Sequence, residues 1–381
     1  MMRNNWTTLL APVPAYELSS NSTYVRSLDG FRGAAIALVA ISHAGFGDII
    51  PGAFGVTIFF FISGFLITRL LIAEHRKNGR ISISNFYLRR VLRLLPALVT
   101  VIVIETAVYY SENGIVFWGE IISAFFYYYN YHVLFVGDNI KALGALWSLA
   151  VEEHFYFVFP FIFLKSIRAI GRFVFFVSIA CLVVLTWRML LVYKFDILSV
   201  SPDYPYYATD CRIDSILFGV FLALAVENKM VRSRIISRLM SWPCFVTGLV
   251  MLLATFIIRS EEFRQTTRYT IQGLALIPLF ACSLFGPQFG IVRALLEMNP
   301  LVWVGKISYS LYLWHMPAIF LVRYYFPQAS LFTSAALSLS LMLMVSSASY
   351  YFVEQPFVGL RRRLHNGANP AQLARSAAPN L

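Results

Sequence analysis

The first long apolar segment of the chain, SLDGFRGAAIALVAISH from Ser27 to His43, carries three ionisable side chains. They are Asp29, Arg32 and His43. Arg32 and His43 are eleven positions apart, close to three helical turns, so they share one helix face at depths about 16 Å apart. An isolated charge at the bilayer centre costs at least ~3 kcal/mol, so we expect this face to line a polar cavity. The alternative is a structural Asp29–Arg32 pair beside a histidine whose hydrogen bonds are satisfied.

A basic cluster precedes another apolar run, in the segment FYLRRVLRLLPA. Arg89, Arg90 and Arg93 fall at positions i, i+1 and i+4, with Tyr87 at the predicted interface. Such clusters commonly set the orientation of a helix in the membrane. The planar guanidinium fork also suits phosphate binding. The spacing alone leaves both interpretations open.

The segment LWSLAVEEHFY places polar side chains inside an apolar run. Ser148, Glu152 and Tyr156 recur every four residues, so they lie on one helix face. Carboxylates facing lipid are unfavourable, and a buried carboxylate can orient or charge a catalytic histidine. The alternative is an ion pair between this segment and an intramembrane arginine such as Arg69 or Arg188.

Two later segments add candidate substrate-binding residues. Arg212 and Asp214 lie in DCRIDSILFGV, at the predicted non-cytosolic mouth of a helix, and His315 lies in GKISYSLYLWH. Ser308, Tyr312 and His315 share one face by the i, i+4, i+7 pattern. Because tyrosine and tryptophan near helix ends are common interface anchors, His315 is the residue of this face that we assign to a site.

Several kinds of site lose support. The sequence has no G-x-S-x-G, Walker, H-E-x-x-H or G-x-G-x-x-G motif in a supporting context, which disfavours the corresponding hydrolase, ATP-driven transporter and zinc protease. It also has no C-x-x-C pair and no Cys/His spacing that suits zinc. We therefore expect no metal and no tightly bound cofactor. The four scattered cysteines are interpreted as isolated apolar thiols: Cys181, Cys211, Cys244 and Cys282.

The elements that must position these residues are membrane helices. Of 381 residues, 59% are hydrophobic and only 13% are charged, whereas a soluble domain is about half apolar and a quarter charged. The net charge of +12 does not form one patch. It recurs in clusters between apolar runs, which favours anionic lipid head groups or an anionic cytosolic ligand over nucleic acid.

Ten apolar runs approach the ~20 residues that span a bilayer. They lie near 28–47, 53–73, 94–111, 145–164, 172–193, 211–227, 240–258, 269–286, 301–322 and 331–352. The aromatic segment 117–136 could also span, but Glu120, Asn130 and His132 suit an interfacial or re-entrant segment better. With a cytosolic N-terminus, the Lys/Arg bias between the two sides is roughly three to one, which favours both termini inside. We predict an all-α, polytopic membrane helix bundle.

This topology divides the chain into three parts. Residues 1–25 form a polar cytosolic segment without the layout of a cleaved signal peptide. Residues 26–357 form the membrane domain, and residues 358–381 form a tail that is basic and then disordered.

Seven segments in register from Arg26 to Phe357 resemble the acyltransferase family 3 membrane proteins, which include O-acetyltransferases of O-antigen, exopolysaccharide and Nod factor. The segments are RSLDGFRGAAIALVAISH, FGVTIFFFISGFLIT, FYLRRVLRLLPA, LWSLAVEEHFY, RIDSILFGVFLA, GKISYSLYLWH and VEQPF. The resemblance implies a ten-helix bundle in the bacterial inner membrane that moves an acyl group from cytosolic acyl-CoA to a carbohydrate hydroxyl. Many relatives carry a C-terminal hydrolase-like domain. This sequence carries none, so we expect no handover to a fused domain.

The resemblance also assigns residues. The family's motifs fall on Arg32 and His43, on Arg89, Arg90 and Arg93, and on Trp147, Ser148, Glu152 and Glu153. It implies that the arginine cluster, with Tyr87, holds the coenzyme phosphates. His43 would act as general base on the acceptor hydroxyl, a role that imidazole suits near neutral pH. Glu152 would orient the imidazole, and Asp29 and Arg32 would complete the catalytic group. Trp147, Ser148 and Tyr156 would contact the substrate. An acyl-histidine intermediate is the rival pathway.

Other functions remain open at this point. A transporter or flippase could use the same polar cavity as a permeation path, and acyl-CoA hydrolysis or transfer by purified protein would discriminate the two. An inactive scaffold is disfavoured because Arg32, His43 and Glu152 are intact. We expect acetyl as the acyl group, with succinyl as the alternative. The expected partners are acyl-CoA, membrane lipids and a polysaccharide repeat unit or lipid-linked oligosaccharide; a homo-oligomer or a glycan-synthesis assembly is compatible.

Overall fold

The computed structural model describes residues 25–227 and 237–359, and within these ranges all regular structure is helical. The first half contains α1 (Arg26–Ile41), α2 (Gly52–Asn78), α3 (Ile83–Asn113), α4 (Trp118–Phe125), α5 (Tyr129–Phe135), α6 (Leu146–Ser166), α7 (Ile170–Met189), α8 (Ile197–Val200), α9 (Tyr204–Tyr207) and α10 (Thr209–Glu227). The second half contains α11 (Ser237–Leu239), α12 (Trp242–Ile257), α13 (Glu261–Gln265), α14 (Thr267–Phe285), α15 (Gly290–Leu296), α16 (Asn299–Lys306), α17 (Ser308–Tyr325) and α18 (Leu331–Ala348).

Five helical runs of the described chain are long and apolar enough to cross a membrane: Gly52–Asn78, Ile83–Asn113, Leu146–Lys194, Thr267–Phe285 and Leu331–Gly359. The run Leu146–Lys194 comprises α6 and α7. The architecture is therefore that of a membrane helix bundle, as predicted. The count of ten spans and the cytosolic location of both termini stay predictions. Almost all of the segments 1–25 and 358–381 lies outside the described residues.

Most predicted apolar runs coincide with one helix, but two segments differ. The run 301–322 consists of α16 and α17, which meet at Ile307. The aromatic segment 117–136 consists of α4 and α5, with Tyr127 between them at a φ of 58°, a conformation that non-glycine residues rarely adopt. At about 1.5 Å per residue, neither short helix could cross a hydrocarbon core of about 30 Å. The segment is therefore broken, which favours the interfacial or re-entrant interpretation.

Glycines bring α1 very close to the segment that contains α15 and α16. A Cβ atom at Gly30 would lie 2.0 Å from the carbonyl oxygen of Leu296. A Cβ atom at Gly305 would lie 1.8 Å from the carbonyl oxygen of Asp29. Only glycine permits these two approaches of backbone to backbone. The contacts fix the position of the α1 turn that carries Asp29 and Arg32.

Contacts at helix ends relate the directions of four helices. Arg76 forms an ion pair with Glu227 at 2.6 Å, which joins the carboxyl ends of α2 and α10. Arg323, near the carboxyl end of α17, donates a hydrogen bond at 3.2 Å to the carbonyl of His43, which follows α1. Each contact joins two helix ends that the predicted alternating topology places on the same side of the membrane.

Candidate active site

Helices α1, α2, α3, α6 and α17 converge on an open cavity, whose empty space including its mouth to solvent is about 840 Å³. Seven polar residues from three of the segments singled out in the sequence line this cavity: Arg32, Arg90, Arg93, Ser148, Glu152, Glu153 and Tyr156. The helix periodicity explains the set from α6, because Ser148, Glu152 and Tyr156 are four residues apart. Residues that are distant in sequence thus meet at one site inside the bundle.

The cationic wall of the cavity consists of Arg32, Arg90 and Arg93. The guanidinium of Arg90 lies 3.8 Å from the ring centroid of Tyr156. Arg93 lies close enough to Arg32 and Arg90 for mutual repulsion, and it has Glu354 as an acidic neighbour. Within the described part of the chain, neither Arg90 nor Arg93 makes a salt bridge within 4.0 Å. Because three like charges repel one another in a low dielectric, this wall favours an anionic ligand.

Arg89 and Tyr87, predicted to hold the coenzyme with Arg90 and Arg93, differ from those two residues because they do not line the cavity. Arg89 forms an ion pair with Glu74 at 2.6 Å. The hydroxyl of Tyr87 donates a hydrogen bond at 2.7 Å to the carbonyl of Phe157. Consecutive helix residues are about 100° apart around the axis, so Arg89 cannot share the direction of Arg90. Arg89 and Tyr87 tie α3 to α2 and α6.

The carboxylate of Glu152 is held by hydroxyl groups. One oxygen accepts a hydrogen bond from Ser63 at 2.9 Å, and the other accepts one from Tyr156 at 3.0 Å. The predicted contact between Glu152 and His43 is therefore absent from the described side-chain contacts. Ser63 is a site residue that the sequence reasoning did not single out, although it lies in one of the quoted segments, FGVTIFFFISGFLIT.

Asp29 and Arg32 form a long ion pair of 3.8 Å on α1. The side chain of Arg32 is 21% exposed, and its Nε atom is buried without a hydrogen-bond partner among the described residues. The structural pairing that the sequence left open is thus present. This pair does not use all the hydrogen-bond donors of Arg32, which also lines the cavity.

A further acidic residue near the cavity, Glu354, was missed. It lies in a π-helical turn, Ser349–Glu354, that follows α18, and it accepts a hydrogen bond from the hydroxyl of Ser310. Its electrostatic neighbours are Arg93 and Arg32. Glu354 is the glutamate of the segment VEQPF, one of the segments that carry the family resemblance.

His43 lies apart from the arginines. It belongs to a π-helical turn, Ser42–Phe46, that follows α1 and contains Gly45 at a φ of 119°, and its side chain is exposed. Such turns occur frequently at functional sites. His43 does not line the cavity, but its ring centroid lies 5.1 Å from that of His315. His315 in turn lies 5.3 Å from the ring of Tyr312, which does line the cavity.

Asp214, predicted as a substrate-binding residue, lies in a buried ion pair. Its two oxygens accept hydrogen bonds from Arg188 at 2.9 and 2.7 Å, and Thr270 donates another at 3.0 Å. Both Arg188 and Asp214 have exposures of 0%. Arg188 therefore pairs with Asp214, and not with a glutamate of α6 as the alternative for that segment proposed.

Arg212 and Trp147 also lie outside the cavity lining. Arg212 is fully buried, with its guanidinium 4.0 Å from the ring centroid of Tyr269 and 5.6 Å from that of Trp147. It donates a hydrogen bond to the hydroxyl of Thr57 at 3.3 Å. Aromatic rings thus surround this cation, and Trp147 is one of them. Both residues therefore have packing contacts in the bundle, and their predicted contact with a substrate stays a prediction.

Comparison with known proteins connects this site to a family. Residues 25–352 match the family described as "Acyltransferase domain". A protein of Staphylococcus aureus strain COL named "Putative O-acetyltransferase" is 32% identical over 361 residues, which cover 88% of this chain and 57% of that protein. The O-acetyltransferase OatA of S. aureus strain NCTC 8325 is 29% identical over 352 residues, with coverages of 87% and 57%. The chain thus spans little more than half the length of these relatives. No solved structure matches it.

Proposed function

This chain belongs to the acyltransferase family that its residues 25–352 match, and from that premise we propose that it is a membrane O-acyltransferase. The donor is cytosolic acyl-CoA, with acetyl as the expected group, and the acceptor is a hydroxyl of a cell-envelope carbohydrate. The observation that carries this proposal is the cavity lined by Arg32, Arg90 and Arg93 beside Glu152. The names of the two S. aureus relatives support the reaction type.

The cationic wall suits the donor. Arg90 and Arg93 have no salt-bridge partner among the described residues, so their guanidinium groups are available for the phosphates of coenzyme A. Charge-assisted hydrogen bonds between arginine and phosphate are short and strong, and they are often bidentate. Arg32, on α1, lines the same cavity. There it would bind either the coenzyme or the carbonyl oxygen of the thioester. The site residues present therefore fit an anionic acyl donor.

His43 suits the transfer step. A neutral imidazole nitrogen would take the proton of the acceptor hydroxyl while the hydroxyl oxygen bonds to the acyl carbon. The carbon–sulfur bond then breaks, and the proton passes from His43 to the leaving thiolate, so that free coenzyme A and an ester are formed. The exposure of His43 gives a bulky carbohydrate access to it. An acyl-histidine pathway would use the same residue as nucleophile.

The proposed location is the bacterial inner membrane, with ten spans and both termini in the cytosol. On this topology the cavity arginines lie toward the cytosol and His43 lies toward the opposite side. The contacts Arg76–Glu227 and Arg323–His43 support it, because each joins helix ends that the topology puts on one side. Donor and acceptor would then approach from different sides of the membrane.

Mass spectrometry of surface carbohydrates tests the function. A deletion strain complemented with the wild-type protein should regain the acyl mass on its envelope glycan, and a strain with His43→Ala should not. His75→Ala, a histidine near the end of α2 and outside the cavity lining, is the matched control and should restore acylation. Normal acylation by His43→Ala would contradict the proposed role of His43. Translocation of an intact substrate without any acyl transfer from acyl-CoA would favour a transporter and overturn the proposal.

A further inference from the structure

His315 has one defined hydrogen bond and one unused acceptor. It lies in the middle of α17 with an exposure of 0%, and its Nδ1 atom is 2.6 Å from the carbonyl oxygen of Tyr312. A carbonyl oxygen can only accept, so Nδ1 carries the proton and donates. In the neutral ring the Nε2 atom is then an unprotonated acceptor. The backbone of α17 thereby fixes the tautomer of this imidazole.

The Nε2 atom of His315 is buried and has no hydrogen-bond partner within the described ranges. Buried polar atoms without a partner are rare in native structures, and each one calls for an explanation. The ring of His43 is next to it, with 5.1 Å between the two centroids and 34° between the two planes. An imidazole N–H is a donor of the kind that this acceptor lacks.

His43 in turn lacks the carboxylate that commonly orients a catalytic histidine. Glu152, the carboxylate predicted for this role, has its two oxygens engaged by Ser63 and Tyr156. None of the ion pairs formed by the described residues includes His43. The carbonyl of Val39 and the guanidinium of Arg323 also lie beside His43. Of the two neighbouring side chains, Arg323 and His315, it is His315 that offers an acceptor.

We propose that His315 is the positioning residue of His43. In the reacting geometry its Nε2 atom accepts the N–H of the His43 imidazole, which leaves the opposite nitrogen of His43 unprotonated and directed at the acceptor hydroxyl. Catalytic hydrogen bonds are often long in the absence of substrate and tighten in the reacting complex, in keeping with the present separation. This inference rests on the proposed function, in which His43 is the base.

The support for His315 is rigid and reaches the cavity. The hydroxyl of Tyr312 lies 2.6 Å from that of Ser148 and donates to the carbonyl of Ala145 at 3.1 Å. Tyr312 therefore ties α17 to the start of α6 through its side chain and holds His315 through its backbone. A positioning residue must itself be held in place, because small displacements of a catalytic histidine strongly reduce the rate of the catalysed reaction.

Two amide substitutions distinguish the role of the Nε2 atom of His315 from that of its Nδ1 atom. In His315→Gln the amide reaches the position of Nε2 and supplies an acceptor there. In His315→Asn the shorter amide reaches only the position of Nδ1. We expect His315→Asn to lower kcat about 10- to 100-fold, the effect of losing one hydrogen bond to a charged group, with an unchanged KM for acyl-CoA. His315→Gln should keep most of the wild-type kcat.

A double-variant measurement distinguishes positioning from a general structural role. If His315 acts through His43, adding His315→Asn to His43→Ala should cause no further loss of residual transfer, because residues that act as a unit are non-additive. His315→Met removes both nitrogen atoms while suiting a buried site. It should reproduce the loss, and it replaces His315→Asn if that variant does not accumulate in the membrane.

The outcomes that overturn the inference are distinct from failure of the proposed function. Equal activity of wild type, His315→Asn and His315→Gln, a loss carried by KM alone, or an additive loss in the His43→Ala background each overturns the inference and leaves the acyltransferase function standing. A purified wild-type protein that transfers no acyl group from acyl-CoA to any carbohydrate overturns the function and the inference together.

Discussion

Two sets of arginines lie inside this bundle, and their surroundings are opposite. Arg188 is fully buried and makes two parallel hydrogen bonds to Asp214 at 2.9 and 2.7 Å. Arg90 and Arg93 are half-buried at an open cavity, and in the described part of the molecule neither has a salt-bridge partner. The first set has its counter-ion built into the fold. The second set has Glu152, Glu153 and Glu354 as acidic neighbours but forms no close ion pair with them, so its guanidinium groups stay open to an anion that enters the cavity.

The difference separates stability from function among residues of one chemical type. Removing one partner from a buried ion pair is strongly destabilising, because the remaining charge has no compensation. Removing a cation that repels its neighbours at a cavity leaves the fold intact and weakens ligand binding. The substitutions below test this separation, in order of decreasing expected effect.

The largest effect is expected at the buried pair. Asp214→Asn leaves the charge of Arg188 uncompensated and should lower the free energy of unfolding by about 3–5 kcal/mol, which is measured as a lower thermal unfolding temperature in detergent. The double variant Arg188→Met with Asp214→Leu is the control, and it should recover most of the lost stability. An Asp214→Asn protein that unfolds at the wild-type temperature would contradict the claim that the Arg188–Asp214 pair stabilises the fold.

The next effect is expected at the cavity. Arg93→Gln should weaken acyl-CoA binding about 10- to 100-fold, because one charge-assisted hydrogen bond contributes about 1.5–3 kcal/mol. Its thermal unfolding temperature should stay near that of the wild type. Equilibrium binding of labelled acetyl-CoA checks the first expectation, and the detergent melt checks the second. A large loss of stability with unchanged affinity would assign Arg93 to the structural set.

The position of Arg32 depends on helix spacing, which gives a third test. Gly305→Ala adds a Cβ atom 1.8 Å from the backbone oxygen of Asp29, so α1 and α16 must move apart. Overpacking of this kind costs about 1–3 kcal/mol, and the shift should also reduce acyl-CoA affinity through Arg32. Gly290→Ala is the matched control, since an added Cβ there meets nothing within 4 Å. Equal unfolding temperatures of the two variants would contradict this account of the α1 contact.

The smallest effect is expected at Arg89, the cluster member that points away from the cavity. Its ion pair with Glu74 is partly exposed, with side-chain exposures of 33% and 14%, and exposed pairs contribute about 0–1 kcal/mol. Arg89→Gln should therefore change both stability and acyl-CoA affinity little, with the dissociation constant within about threefold of the wild-type value. A tenfold weaker affinity would show that all three arginines of the cluster act on the ligand, as the family resemblance implies.

The helices and one face of the site could be read from the sequence. Apolar runs near the length of a bilayer predicted the helices, and a four-residue period predicted that Ser148, Glu152 and Tyr156 share a face. Arg32 and Arg93 join them because charged groups in apolar helices avoid lipid. Local periodicity determines these features, so neighbouring residues suffice to predict them.

The side chains that contact each ionisable residue could not be predicted from local sequence patterns. Ser63 and Glu152 are 89 positions apart, and Arg188 and Asp214 are 26 apart. Which side chains meet over such separations depends on which helices pack together, and a single sequence does not encode this as a local pattern. For the same reason the sequence did not predict that the ring of His315 lies 5.1 Å from that of His43.

Equilibrium binding of acetyl-CoA to the purified protein, compared with the double variant Arg90→Gln with Arg93→Gln, tests the central claim most directly. The account predicts saturable binding by the wild type that free coenzyme A displaces. It also predicts the loss of that binding in the double variant at an unchanged thermal unfolding temperature. Wild-type protein that does not bind acetyl-CoA, or a double variant that binds it equally well, would contradict the assignment of this cavity to the acyl donor.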